Sequence, residues 1–129
     1  MRAPFATLVV LFLGGLGPAG RSVHQIRMTS NRFTPAEVTA RPGDTLRIIN
    51  GNGLHNLQFV ADSIPAPMAA LLERAMGGGK DKLSPVGSPL LIDAGASYEF
   101  ALPPLVPGRY PFVCLAHVAN DMRGVLIVP

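Results

Sequence analysis

The stretch Tyr110-Pro-Phe-Val-Cys-Leu-Ala-His-Val-Ala-Asn-Asp-Met122 holds the chain's single cysteine, a histidine three residues later and a methionine five residues beyond that. Tyr110, Phe112 and Cys114 occupy every second position, which places them on one face of a strand. In the plainest reading, Cys114 and Met122 are buried hydrophobes and His117 is a loop residue. A thiol, an imidazole and a thioether so close together are also a set of metal ligands. The rest of the chain decides between the two.

Upstream, the sequence reads as short strands broken by Pro, Gly, Asn and Asp: His24 to Ser30, Glu37 to Ala40, Leu46 to Asn50, Asn56 to Val60, Leu90 to Ile92, Ser97 to Leu102, Gly108 to Cys114 and Gly124 to Val128. The turn signals have mechanisms. Arg41-Pro42-Gly43-Asp44 and Pro107-Gly108 each join the fixed φ of proline to the permissive φ of glycine. His55, Leu57 and Phe59 repeat the period-2 pattern of the cysteine strand, so a histidine and the cysteine both fall on core-facing strand ends. This pattern predicts an all-β, Greek-key sandwich. One short helix interrupts it, because Met68, Leu71, Leu72 and Ala75 follow helical spacing between Pro65-Ala66-Pro67 and Gly77-Gly78-Gly79. Residues 80–89 are loop by composition.

Cys114, His117 and Met122 suit one metal better than others. Thiolate and imidazoles in a trigonal set, with a weak axial thioether, are the preference of copper that alternates between two oxidation states. Zinc rarely takes methionine. Such a site needs a second imidazole, and the chain offers His24 and His55. His55 is the better placed, at the mouth of an alternating strand after the flexible Asn50-Gly51-Asn52-Gly53; His24 reads as a surface residue.

The run from Tyr110 through Met122 to Arg-Gly-Val-Leu-Ile-Val128 resembles the C-terminal motif of the cupredoxins, the plastocyanin-like and pseudoazurin-like blue copper proteins. Phe33-Thr-Pro35 and Arg41-Pro-Gly-Asp-Thr45 resemble that family's second and third strands, and His55-Asn-Leu-Gln-Phe59 its first-ligand segment. The resemblance runs from about Gln25 to Val128. It implies a type 1 copper ion held by His55, Cys114 and His117 with Met122 axial, and Asn56 hydrogen-bonded close to the sulfur. This sequence departs from the family pattern in three places. Leu115-Ala116 stands where many relatives have a small polar residue and a proline, Asp121 precedes Met122 in place of glycine, and an insert at about 61–96 is longer than usual.

Residues 1–20 read as a secretory signal peptide: Arg2, an apolar stretch from Phe5 to Leu16, then Gly17-Pro18-Ala19. Residues 21–129 then form the copper domain, with no membrane span of its own. The stretch is shorter than the ~18 residues expected of a membrane span. Export places the protein in the periplasm or another extracytoplasmic space, where an unpaired cysteine needs something to occupy or shield its sulfur. Loss of the leader leaves 10 basic and 8 acidic residues, scattered singly, which does not suit nucleic-acid binding.

The resemblance implies one-electron transfer to redox proteins that dock transiently near His117. A copper carrier or copper-tolerance protein of the same fold is the alternative. Enzymatic chemistry is not expected: a binuclear copper centre requires two cysteines, and multicopper oxidases need His-x-His clusters that the sequence lacks. A metal-free cysteine nucleophile assisted by His117 would leave His55 and Met122 without a role.

Overall fold

Residues 21–129 are described in this structure, a computed structural model; the leader expected over 1–20 lies outside the described residues. Period-2 alternation sets the layers. Strand β4 (Thr45–Asn50) points Leu46, Ile48 and Asn50 inward, β1 (Val23–Thr29) does the same with Ile26 and Met28, and β6 (Ser97–Ala101) with Phe100. With β2 (Arg32–Thr34) they make one sheet in the order β2-β1-β4-β6. The second sheet runs β3-β8-β7-β5, from β3 (Glu37–Thr39), β8 (Arg123–Val128), β7 (Gly108–Val113) and β5 (Gln58–Phe59). Each sheet is mixed: β1 runs parallel to β4 and β3 parallel to β8, whereas the other pairs are antiparallel. The expected all-β sandwich is the one observed.

The two inner faces meet through aromatic rings. Phe33 of one sheet meets Phe112 of the other edge-to-face at 4.9 Å, and Phe59 meets Phe100 at 6.4 Å. Both arrangements have the geometry that the ring quadrupole favours. The core is continuous with the site, since Tyr110, Phe112 and Cys114 lie on the same buried face of the β7 line.

The helix expected in the insert is α1 (Ala66–Met76). It begins after Pro65, ends at Gly77 and buries Leu72 and Met76. Its C-terminal end is fixed to the sheet by the Tyr98 hydroxyl, which donates to the Met76 carbonyl at 2.6 Å.

One strand expectation needs correction. Leu90–Ile92 is not a strand; it pairs only at Leu91, in an isolated bridge with His55. Pro89 has no N–H to offer a ladder, and the buried Ser88 hydroxyl takes the Leu57 N–H that a strand carbonyl would otherwise accept. The three-residue β2 carries too little alternation to register as a period, but it falls where Phe33-Thr-Pro35 resembles the family's second strand.

Candidate metal centre

Two segments from distant parts of the chain build the site. The first leaves β4 at Asn50, turns through Gly51–Leu54 and reaches His55 before entering β5. The second leaves β7 at Cys114 and turns through a 3-10 segment, Leu115–Asn120, that is kinked at His117 (φ −127°, ψ 19°). Asp121 follows in the left-handed region, at φ 61° and ψ 32°, and returns the chain into β8. The loop is closed by its own backbone: the Cys114 N–H donates to the Met122 carbonyl at 3.0 Å and the His117 N–H to the Cys114 carbonyl at 3.1 Å. The spacing seen in the sequence is therefore the length of one closed turn, which holds Cys114, His117 and Met122 together.

The β5–β7 register brings the first segment alongside. Gln58 pairs with Val113 and Phe59 with Phe112, so continuing the antiparallel ladder sets Asn56 opposite Leu115. The Asn56 side-chain oxygen accepts the Leu115 N–H at 2.8 Å, and its amide nitrogen donates to Gln58 Oε1 at 3.0 Å. Asn56 is fully buried and bridges the two segments one residue beyond the cysteine.

At their meeting point, Cys114 Sγ lies 3.7 Å from His55 Nδ1 and 3.4 Å from His117 Nδ1. The two imidazoles are tilted by 39° with centroids 4.7 Å apart. One donor atom from each of the three residues lies within 4.8 Å of the others, the one such His, Cys, Asp or Glu cluster among the described residues. Cys114 and His55 are buried, and His117 is half-buried. Burial, then the neighbouring His117 ring, lower the His55 pKa below its usual value; the Asn52 backbone opposes the shift without giving His55 Nε2 a hydrogen bond. Both effects favour the neutral imidazole, the form that binds metal.

The donor set passes the test of fit for a transition metal. Atoms 3.4–3.7 Å apart are spaced as ligands in a trigonal set whose bonds are about 2.0–2.3 Å long. One sulfur with two imidazole nitrogens is soft enough for copper. Met122 is also fully buried, and its N–H and carbonyl both bond to the same loop, to His117 and Cys114.

Residues 22–129 match the family described as copper binding proteins, plastocyanin/azurin family. The chain belongs to that family. Among solved structures, it is similar to oxidized plastocyanin from Dryopteris crassirhizoma (22% identity over 82% of this chain and 100% of that one, TM-score 0.62). Reduced auracyanin from Roseiflexus castenholzii is similar at 24% identity (87% and 99% covered, TM-score 0.57), and a reduced amicyanin variant at 21% (85% and 83%, TM-score 0.54). At such identities the likeness establishes the cupredoxin fold.

Among the histidines, His24 is not part of the cluster. It pairs with Asp44 at 2.9 Å between β1 and the turn before β4. Sequence reasoning missed the role of Asn50, read as the end of a strand and the start of a flexible loop. The available signal was a polar residue at an inward position of an alternating strand, after Leu46 and Ile48.

Proposed function

We infer that this cupredoxin binds one copper ion, which His55, Cys114 and His117 would hold with Met122 as a fourth ligand, and passes single electrons between partner proteins in the periplasm. The observation that carries the reading is the approach of both Nδ1 atoms to one buried sulfur. Bound copper would supply the Cu(I)/Cu(II) couple. The chain's own part is to hold the donors still and dry. Cys114 and His55 are shut off from solvent by the sandwich, and the ligand loop is closed by backbone hydrogen bonds, so an electron's arrival would move little.

His117 is the one member of the cluster that reaches the surface, which makes it the electron's exit. Leu115 and Val118 flank it in sequence and are both exposed, as is Leu54 beside His55. These side chains form an apolar rim suited to brief docking of a redox protein. The leader-like residues 1–20 support export, and occupation of the lone sulfur by copper answers the hazard of a free thiol in an oxidising compartment.

The test is the visible spectrum with added Cu(II), for the protein and for Cys114→Ser. An intense thiolate-to-copper band in the first and its absence in the second is the expected result; a colourless wild-type protein overturns the reading.

A further inference from the structure

The core-facing line of β4 runs Leu46, Ile48, Asn50, and the last member breaks the pattern: a fully buried amide where an aliphatic residue would continue it. Its Nδ2 lies 2.8 Å from the Gly53 carbonyl and 3.2 Å from each of the Leu91 and Asp93 carbonyls. Three carbonyl acceptors around one atom require that atom to be the nitrogen, and its two hydrogens are shared among them. The backbone of Asn50 is engaged as well, its N–H donating to the Ala96 carbonyl at 2.8 Å and its carbonyl accepting the Gly95 N–H at 2.7 Å. Asn50 Oδ1 has no partner among the described residues. An amide buried at this cost does what an aliphatic side chain cannot: it joins three separate backbone carbonyls.

Those carbonyls frame His55. Gly53 lies two residues before it. The Leu91 carbonyl accepts the His55 N–H at 3.0 Å, and the Leu91 N–H donates to the His55 carbonyl at 2.8 Å. The other side of the turn is held by β1 and its following turn: the Gly51 N–H donates to the Met28 carbonyl at 2.8 Å, and Asn52 Oδ1 accepts the Ser30 N–H at 3.0 Å. A Cβ at Gly51 would lie 3.1 Å from the Met28 carbonyl and closer still to the Thr29 side chain, so the turn is seated against β1. The Asn50 side chain closes the remaining side, toward residues 91–93.

We propose that Asn50 is a positioning residue whose side-chain amide staples the His55-bearing turn to the 91–93 segment and so fixes His55 Nδ1 at its distance from Cys114 Sγ. The proposal rests on the copper reading for its consequence but not for its test. With the turn stapled, His55 keeps one position in both oxidation states, which limits the rearrangement accompanying electron exchange.

The test is native-state amide hydrogen exchange at His55, Leu91 and Ile48 in the copper-free wild type, Asn50→Ala and Val38→Ala. Val38→Ala opens the core at β3 without touching the turn. In the wild type, His55 and Leu91 are expected to exchange about as slowly as the core amide of Ile48. In Asn50→Ala they are expected to exchange at least about tenfold faster than Ile48, the local opening brought by lost hydrogen bonds. Val38→Ala should speed all three together. Equal acceleration of the three amides in Asn50→Ala overturns the proposal. So does wild-type exchange at His55 already far faster than at Ile48, a result that stands even if the variant does not fold. With copper, Asn50→Ala is expected to keep the thiolate band but alter its position and slow electron self-exchange, while Val38→Ala does neither. A wild-type protein without the band sinks the copper reading and leaves the exchange result intact. A normal band with unaltered exchange at His55 sinks only the role of Asn50.

Discussion

Asn56 and Leu115 are joined by a hydrogen bond of 2.8 Å between residues 59 positions apart, one beside His55 and the other beside Cys114. Among the described residues it is the one side-chain bond that links the two segments without involving His55, Cys114 or His117. Removing it leaves the part-buried Leu115 N–H without its acceptor and empties the fully buried place of the Asn56 amide, so Asn56→Ala is expected to destabilise the protein by about 1–3 kcal/mol in denaturant titration. Asn56→Asp keeps an acceptor at that position and should retain the Leu115 bond while losing the one to Gln58. If Asn56→Ala unfolds at the wild-type midpoint, the bond does not hold the segments together.

The rim around His117 predicts a separation of colour from electron transfer. Leu115 is 42% exposed and its side chain is not part of the donor cluster. Leu115→Glu should leave the copper absorption unchanged and slow electron self-exchange about tenfold or more, because a charge disrupts apolar docking and repels its own copy. Loss of the absorption would show that Leu115 serves the site's structure instead.

Asp44 predicts an acid-dependent loss of stability at the far turn. Its carboxylate accepts the Ser22 and Arg41 N–H groups, each at 3.0 Å, and the His24 ring nitrogen at 2.9 Å. The two backbone bonds, then the His24 bond, lower its pKa from 3.8 to about 2. A depressed carboxylate stabilises the fold fully above its unfolded pKa, and that contribution fades as pH falls from about 4 toward 2. Asp44→Asn should therefore be less stable than wild type at pH 5 and should lose less between pH 5 and pH 2. Denaturant midpoints at those two values measure this, and parallel losses in the two proteins count against it.

Gly124 predicts a steric cost. A Cβ there would lie 2.5 Å from the Ala36 carbonyl oxygen and 2.5 Å from a ring carbon of Phe112. Neither can withdraw freely, since the Ala36 carbonyl also accepts the Val125 N–H and Phe112 is locked in the aromatic core. Gly124→Ala is expected to lower stability by about 2 kcal/mol or more, read as a lower thermal midpoint.

Much of this architecture was legible because it depends on short-range rules. The inward positions of the β7 line, Tyr110, Phe112 and Cys114, follow from alternation, and α1 from its spacing and its Pro and Gly boundaries. Leu90–Ile92 was misread because the apolar composition of a strand is also that of an irregular edge. Only the location of its hydrogen-bond partners, one of them the Ser88 hydroxyl, separates the two. Asn50 stayed hidden for a related reason. Its inward place after Leu46 and Ile48 marked it as out of pattern, but nothing local showed that its amide reaches carbonyls 41 and 43 residues away.

By itself the sequence determined the C-x2-H-x4-M spacing, which the bond from Cys114 to Met122 at the end of the β7–β8 ladder makes into one closed turn. It also placed His55 at the mouth of an alternating apolar segment, of which Gln58–Phe59 is strand. The tertiary structure alone decided that His55 meets Cys114, because that contact rests on the register of β5 against β7, and a slip of one residue would turn His55 to the other face. Register is a property of two segments packed on one core. Neither segment carries it alone.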